Sequence, residues 1–283
     1  MDTEKYIPYD ETMYPTIEED NLNSEELSVI KLFIELSNMI EDTNQLYKCF
    51  LFNREQLIFY YVFYFNDTYA PKQNNYFDDR ILINSLTINY ISAAVNLVEA
   101  QRKFAKIYNI MEFEKYCNDI YDESFHYRLM CFLRNYSQHG HFPVSVDKNN
   151  HSCCFDLQQI YNTMHFDKAK KIEQELLQLI QEITTKYRDN ANIVYTKTMA
   201  VLEKFILKIN VMFYKMFENL YMDTANQSIK IRNKLNKKKS EGKNFIVFAE
   251  NETLHICKPN CKSKKYFKKL KKEAINELKN LKW

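Results

Sequence analysis

Phe132-Leu133-Arg134-Asn135-Tyr136-Ser137-Gln138-His139-Gly140-His141-Phe142-Pro143 closes a long run of helical spacing. Upstream of it Phe113, Tyr116, Cys117, Ile120, Tyr121, Phe125, Leu129, Phe132 and Leu133 recur every three or four residues, which marks one apolar helix face. A glycine and then a proline stop the pattern. Gly140 can supply the left-handed turn that follows a helix, and Pro143 cannot resume one. The spacing predicts a single helix from Met111 to His139, with Arg134 on its last full turns and His139 in the fraying end.

The rest of the chain reads as mostly α. Only two glycines and five prolines occur in 283 residues, too little turn currency for sandwiches or barrels. No G-x-x-x-x-G-K or G-x-G-x-x-G can be written with Gly140 and Gly242 alone, so nucleotide-cradling loops are excluded. Residues 1–23 form an acidic arm. Ser24-Glu25-Glu26 is expected to cap a first helix carrying Leu27, Ile30, Phe33, Ile34 and Ile40. A second segment, Gln45 to Tyr69, has Phe50, Phe52, Leu57, Phe59, Phe63 and Phe65 on nearly all sides. An all-round apolar helix is a buried one, either central or at an oligomer contact. A strand through Leu57–Phe65 is the alternative, and the Arg54-Glu55-Gln56 lead-in favours helix.

Asp78 or Asp79 opens a long helix to about Tyr108, and near its end Glu99 and Arg102 stand three apart. They form either a solvated ion pair or, for Glu99, a partner that orients Arg134. After the motif, Phe142–Val146 and Ser152–Phe155 flank Asp147-Lys148-Asn149-Asn150 as a short hairpin. A helix is expected from Asp167 to Tyr187, then a long one from Ala191 to Met222 that continues as a basic helix to Lys239. A second hairpin, Phe245–Phe248 with Leu254–Cys257, precedes a lysine-dense helix from Lys262 to Trp283. The domains expected are the arm 1–23, a helical domain 24–188 and a basic C-terminal region 189–283 with its hairpin near 245–257.

Arg134, Asn135 and His139 are the residues that could carry chemistry. Helix C-terminal carbonyls favour a protonated imidazole. An Arg one turn back presents a planar fork suited to a phosphate oxygen. Asn135 could bond the same group or orient the His ring. The set suits phosphodiester cleavage, with His139 moving protons and Arg134 stabilising charge on phosphorus. Arg134-Asn135-x-x-x-His139 resembles the R-polar-x-x-x-H signature of the HEPN superfamily, and its helical surroundings from about Ser24 to Tyr187 share in the resemblance. That resemblance implies an all-helical bundle, a homodimer with the motif paired across it, and a metal-independent endoribonuclease using the ribose 2′-hydroxyl. Such proteins often serve as toxins or in phage defence, with an antitoxin or other regulatory partner.

Charge adds a second expectation. Lys230 to Trp283 holds 17 Lys/Arg against 5 Asp/Glu, in a chain whose total is +2. Lys237, Lys238, Lys239, Lys264, Lys265, Lys268 and Lys269 are candidate RNA contacts, and removal of Lys262 to Trp283 is expected to weaken RNA binding while leaving the helical body folded. The rival reading is a non-catalytic, dimeric nucleic-acid-binding or regulatory protein. His151-x-Cys153-Cys154 and His255-x-Cys257-x-x-x-Cys261 lack a complete zinc spacing, so no metal or other cofactor is expected. Seven cysteines without regular spacing, no signal peptide and no long apolar run predict a cytoplasmic protein without a membrane span.

Overall fold

The structure is a computed structural model that describes residues 21–65, 79–147, 152–155, 157–163, 174, 177–178, 180–181, 191–238, 246–250, 253–257 and 261–281. Among the described residues the elements are α1 (Ser24–Phe65), α2 (Asp79–Ile107), α3 (Met111–Glu123), α4 (Phe125–Gln138), β1 (Val144–Asp147), β2 (Ser152–Phe155), α5 (Leu157–Thr163), α6 (Ala191–Lys238), β3 (Ile246–Glu250), β4 (Thr253–Cys257) and α7 (Cys261–Lys279). The fold is mostly α with two small antiparallel hairpins, β1–β2 and β3–β4. In the first, Val144 stands opposite Phe155; in the second, Ile246 stands opposite Cys257.

Local chemistry explains the element ends, including two that differ from expectation. The cap of α1 is Asn23, not Ser24. Its Oδ1 accepts from the Glu26 backbone N–H at 2.8 Å, and its own N–H donates to Glu26 Oε2, a reciprocal capping box. The helix expected from Met111 to His139 is two helices. Ser124 leaves the helical region (φ −117°, ψ 104°) and its side chain accepts from the Tyr127 N–H, capping α4. Arg128 then donates to the carbonyls of Tyr121 and Asp122, satisfying the last turn of α3 and fixing the corner. The α2–α3 corner uses Asn109 at φ +55°, a conformation asparagine tolerates. The two segments read as separate in α1 are one continuous helix, and α6 runs unbroken from Ala191 to Lys238 as the continuation into its basic end implied. The short α5 had no counterpart in the sequence reading, and most of the helix expected from Asp167 to Tyr187 lies outside the described residues.

The chain divides into two compact units that do not follow the linear boundaries at residues 23 and 188. One comprises Met1–Ser37 and Asn219–Tyr266. Its described core holds Ile30, Phe33 and Leu36 from α1, Tyr221 and Ala225 from α6, and Ile246 and Phe248 from β3. Phe33 packs on Tyr221, and Lys234 pairs with Glu26 at 2.5 Å.

The other unit, Asn38–Glu218 with Phe267–Trp283, contains the motif. Helix α2 packs against α3, α4 and β1. It is long and apolar enough to cross a membrane by composition, the one such helix among the described residues. Its apolar residues Ile83, Ile91, Leu97 and Val98 are instead buried in this core. Its buried polar residues are bonded within the protein: Asn84 to Val144, Thr87 to Tyr195, Gln101 to Asn210. The α1 aromatic run is helical, and the described side chains of its segment are buried on one side only. Phe50 stacks on Tyr90 and Leu57 is fully buried, whereas Phe52 and Phe59 are 63% and 62% exposed.

Helix α7 is not a removable tail. Phe267, Leu270 and Ala274 are buried, Phe267 meets Tyr214 edge-on, and Lys271 pairs with Glu218. Glu277 of the same helix reaches Arg54, which also bonds Glu203 at 3.0 Å and Glu55 at 2.7 Å. Both Arg54 and Glu203 are buried. Burial opposes the Arg54 charge, but the Glu55 hydrogen bond and the Glu203 and Glu277 carboxylates outweigh it and hold the guanidinium above its ordinary pKa.

Arg54→Met should therefore lower stability by about 3–5 kcal/mol, because it takes the counter-charge away from buried Glu203. Arg54→Met/Glu203→Leu should recover most of that loss in urea unfolding. A double variant as unstable as the single would remove the ion pair from this account.

Candidate functional site

Helix α4 ends where its sequence says it should. The Gly140 N–H donates to the Ser137 carbonyl at 3.0 Å, and Gly140 takes φ +84°, a value that suits glycine alone. His139 is the C-cap residue and is exposed. The chain beyond is pinned by Asn84, whose amide nitrogen donates to the Val144 carbonyl and whose oxygen accepts from the Val144 N–H, both at 2.8 Å. A buried side-chain amide thus takes the place of a neighbouring strand and fixes where the segment after the motif runs.

Arg134 is held from α2. Its Nη1 donates to Glu99 Oε1 at 2.8 Å and its Nη2 to Glu99 Oε2 at 3.4 Å and Asn96 Oδ1 at 3.1 Å. This is a fork-to-carboxylate contact. The Arg134 side chain is 19% exposed and that of Glu99 is 56% exposed, so the carboxylate faces solvent. Arg134 Nε is buried and has no hydrogen-bond partner among the described residues. Of the two readings of Glu99, the geometry selects the one that orients Arg134. Arg102 turns instead to Glu114 and Asn118 on α3. The Arg102 hydrogen bond, before all else, holds the Glu114 carboxyl below the usual carboxylate range.

Asn135 is exposed and bonds neither Arg134 nor His139, and it is Glu99 and Asn96 that orient Arg134. No hydrogen bond joins Arg134, Asn135 and His139 among the described residues. What they share is the C-terminal end of one helix. His141 was not singled out by the motif, yet its ring lies 4.8 Å from that of buried Tyr136 at an interplanar angle of 25°. Asn96 had a faint signal in sequence, one turn before Glu99 on the same face of α2. Asn84 and Arg128 had none, because their partners are remote or are backbone carbonyls.

The basic candidates divide. Lys237 and Lys238 belong to α6, Lys239 lies outside the described residues, and Lys264, Lys265, Lys268 and Lys269 belong to α7. Lys264 donates to Asn226 at 2.8 Å and Lys269 approaches Glu273 at 3.6 Å. Lys265 and Lys268 are exposed, with no partner among the described residues. An open depression on α3, lined by Met111, Glu112, Glu114, Lys115, Asn118 and Asp119, includes none of the motif residues.

Among the described residues no three His, Cys, Asp or Glu side chains converge as metal ligands. His151 lies outside the described residues, and Cys257 is buried. Burial pushes the Cys131 thiol up to about 11 and those of Cys117, Cys153 and Cys257 to about 12, which makes them poor nucleophiles. The sequence matches no protein-family model, and no curated protein or solved structure aligns with it significantly.

Alkylation of the native protein near pH 8 should reach exposed Cys49 first and leave Cys117, Cys131, Cys153 and Cys257 unmodified until urea is added. Mass mapping of the labelled peptides checks this. Rapid native labelling of Cys131 would return it to the list of candidate nucleophiles.

Proposed function

We propose that this protein is a metal-independent endoribonuclease of the HEPN type, acting on RNA in the cytoplasm from the end of α4. The observation that carries the reading is the Arg134 fork. It is clamped by Glu99 and Asn96 beside an exposed helix end that bears Asn135 and His139. The carboxylate seated on Arg134 supports this reading, since carboxylate and phosphate oxygens bind a guanidinium fork alike. The scissile phosphate competes with Glu99 for Arg134, and Asn96 keeps the guanidinium plane in place while the partner changes.

The chemistry follows. The ribose 2′-hydroxyl attacks the adjacent phosphorus, Arg134 stabilises the charge that builds on the non-bridging oxygens, and His139 moves a proton. Asn135 is free to contact the RNA backbone. Products are a 2′,3′-cyclic phosphate and a 5′-hydroxyl. Lys265 and Lys268 on α7, with Lys237 and Lys238 on α6, supply sequence-independent attraction for the phosphate backbone. One Arg and one His make a sparse phosphate site, and a two-fold copy of α4 doubles both, so the active form is a homodimer. A nuclease of this kind fits a toxin or phage-defence effector, restrained by a partner that covers the helix end. The rival is a nucleic-acid-binding protein without catalysis, favoured to the extent that the Glu99 pair is permanent.

RNA incubated with the protein in EDTA should be cut, and His139→Ala and Arg134→Ala should each lose roughly 10²–10⁴-fold in rate. Arg134→Lys should fail as well, because an ammonium cannot reproduce the fork. His139→Ala should melt close to the parent, whereas Leu129→Ala, which empties a fully buried site, should cost about 2–5 kcal/mol. Undiminished cleavage by His139→Ala would make the motif structural and leave the binding protein.

Sedimentation should show a dimer, and cleavage should fall away on dilution to concentrations at which only monomer sediments. A fully active monomer would contradict the two-fold site.

A further inference from the structure

We infer that the exposed face of α1 is a self-association surface that takes a second copy of this chain, antiparallel and related by a two-fold axis. The surface is borne by α1 rather than α4, and the inference does not depend on the ribonuclease reading.

Helical geometry sets the face. Lys48, Cys49, Phe52, Gln56, Phe59 and Val62 fall within about 140° of one another around the continuous helix, and all six are exposed. Tyr47, Phe50, Arg54 and Leu57 take the opposite side and are buried. The core-facing side of α1 is thus already packed, and two large rings, Phe52 and Phe59, stand one above the other on the side that is not. A row of exposed apolar side chains of this kind marks an interaction surface.

The apolar positions are symmetric about their own middle. From the point between Glu55 and Gln56, Phe52 and Phe59 lie equally far on either side, and so do Cys49 and Val62. A two-fold contact demands that symmetry, because wherever residue i meets j, j must meet i. Run antiparallel, the face lays Phe52 on the partner's Phe59 and Phe59 on the partner's Phe52. Charge selects the same direction. A parallel pair would set Lys48 beside the partner's Lys48 and Glu55 beside the partner's Glu55. Antiparallel pairing carries Lys48 about 22 Å along the helix from the partner's Lys48. Glu55 stays near the axis, where Arg54 already holds its carboxylate at 2.7 Å. Four phenyl rings meeting across the axis bury on the order of 500 Å² of apolar surface. That is the scale of a weak, concentration-dependent pairing rather than an obligate one. Added to a pair formed through α4, it doubles the assembly once more at higher concentration.

The test is sedimentation over a concentration series, for the parent and for Phe52→Glu/Phe59→Glu. The parent should show a doubling of mass at high concentration that the double variant lacks. Melting temperature at low concentration should be unchanged, because both rings are exposed. A second pair of variants reads the direction. Both carry Cys49→Ser; one adds Gln56→Cys and the other Lys48→Cys. Under mild oxidation Gln56→Cys should give a disulfide-linked dimer through position 56, and Lys48→Cys should run as a single chain on a non-reducing gel. A parent that shows no doubling, or a doubling that survives Phe52→Glu/Phe59→Glu, overturns the inference. Cross-linking at position 48 instead of 56 overturns it too, since that is the parallel pair. A double variant that melts well below the parent with no change of mass means that the chain's own residues cover the face, which also overturns it. Cleavage of RNA by the parent, or its failure, bears on none of these outcomes.

Discussion

Helix α2 buries polar side chains in an apolar core, and Asn84, Thr87 and Gln101 each make a hydrogen bond there, while Gln101 Oε1 has no hydrogen-bond partner among the described residues. An unbonded buried amide or hydroxyl costs roughly 1–3 kcal/mol. A smooth apolar helix could rotate or slide against its neighbours at little cost. Asn84, Thr87 and Gln101 prevent that, because Val144, Tyr195 and Asn210 meet them in one register only. Apolar burial supplies most of the stability of this unit. The polar partners decide which arrangement is stable.

That register places the exposed face of α2 opposite α4. Asn96 and Glu99 meet Arg134, and three residues further on Arg102 crosses to Glu114 and Asn118 of α3. Two arginine–carboxylate contacts therefore flank one helix, and they differ in consequence. Glu114 is largely shielded, its charge held by Arg102, and the contact braces α3. Glu99 faces solvent, where an ion pair contributes little stability and is readily exchanged. The proposed site uses the exchangeable one. The Asn84 clamp acts on the same region from the other side, since it fixes the chain that leaves Gly140.

Much of this fold could be read from the sequence, for reasons that differ by element. The helices followed from apolar spacing, and the end of α4 from Gly140, because a left-handed residue after a helix has a strong local signature. Both hairpins followed from short apolar runs around polar turns. The break at Ser124 did not, since Ile120, Tyr121 and Phe125 keep helical spacing across it and the serine cap is a choice of side-chain rotamer. The exposure of Phe52 and Phe59 also escaped, because an all-apolar segment does not say which side the core lies on. In the candidate site, the motif residues were visible as types at a spacing. The partners that orient Arg134 were visible only in part, since Glu99 lies 35 residues away and only tertiary packing brings the two together. The role of α7 was misread for a related reason. Its lysines are conspicuous in sequence, while the apolar edge that anchors Phe267 and Leu270 is sparse.

The central claim is that cleavage uses the ribose hydroxyl beside the scissile phosphate and needs no metal. A DNA oligonucleotide carrying one ribonucleotide tests it directly, incubated with the protein in EDTA beside its 2′-O-methyl counterpart. The account predicts a single cut 3′ of the ribonucleotide, leaving a 2′,3′-cyclic phosphate and a 5′-hydroxyl, and an intact methylated strand. Cutting of the methylated strand, or termini of 3′-hydroxyl and 5′-phosphate, would contradict it.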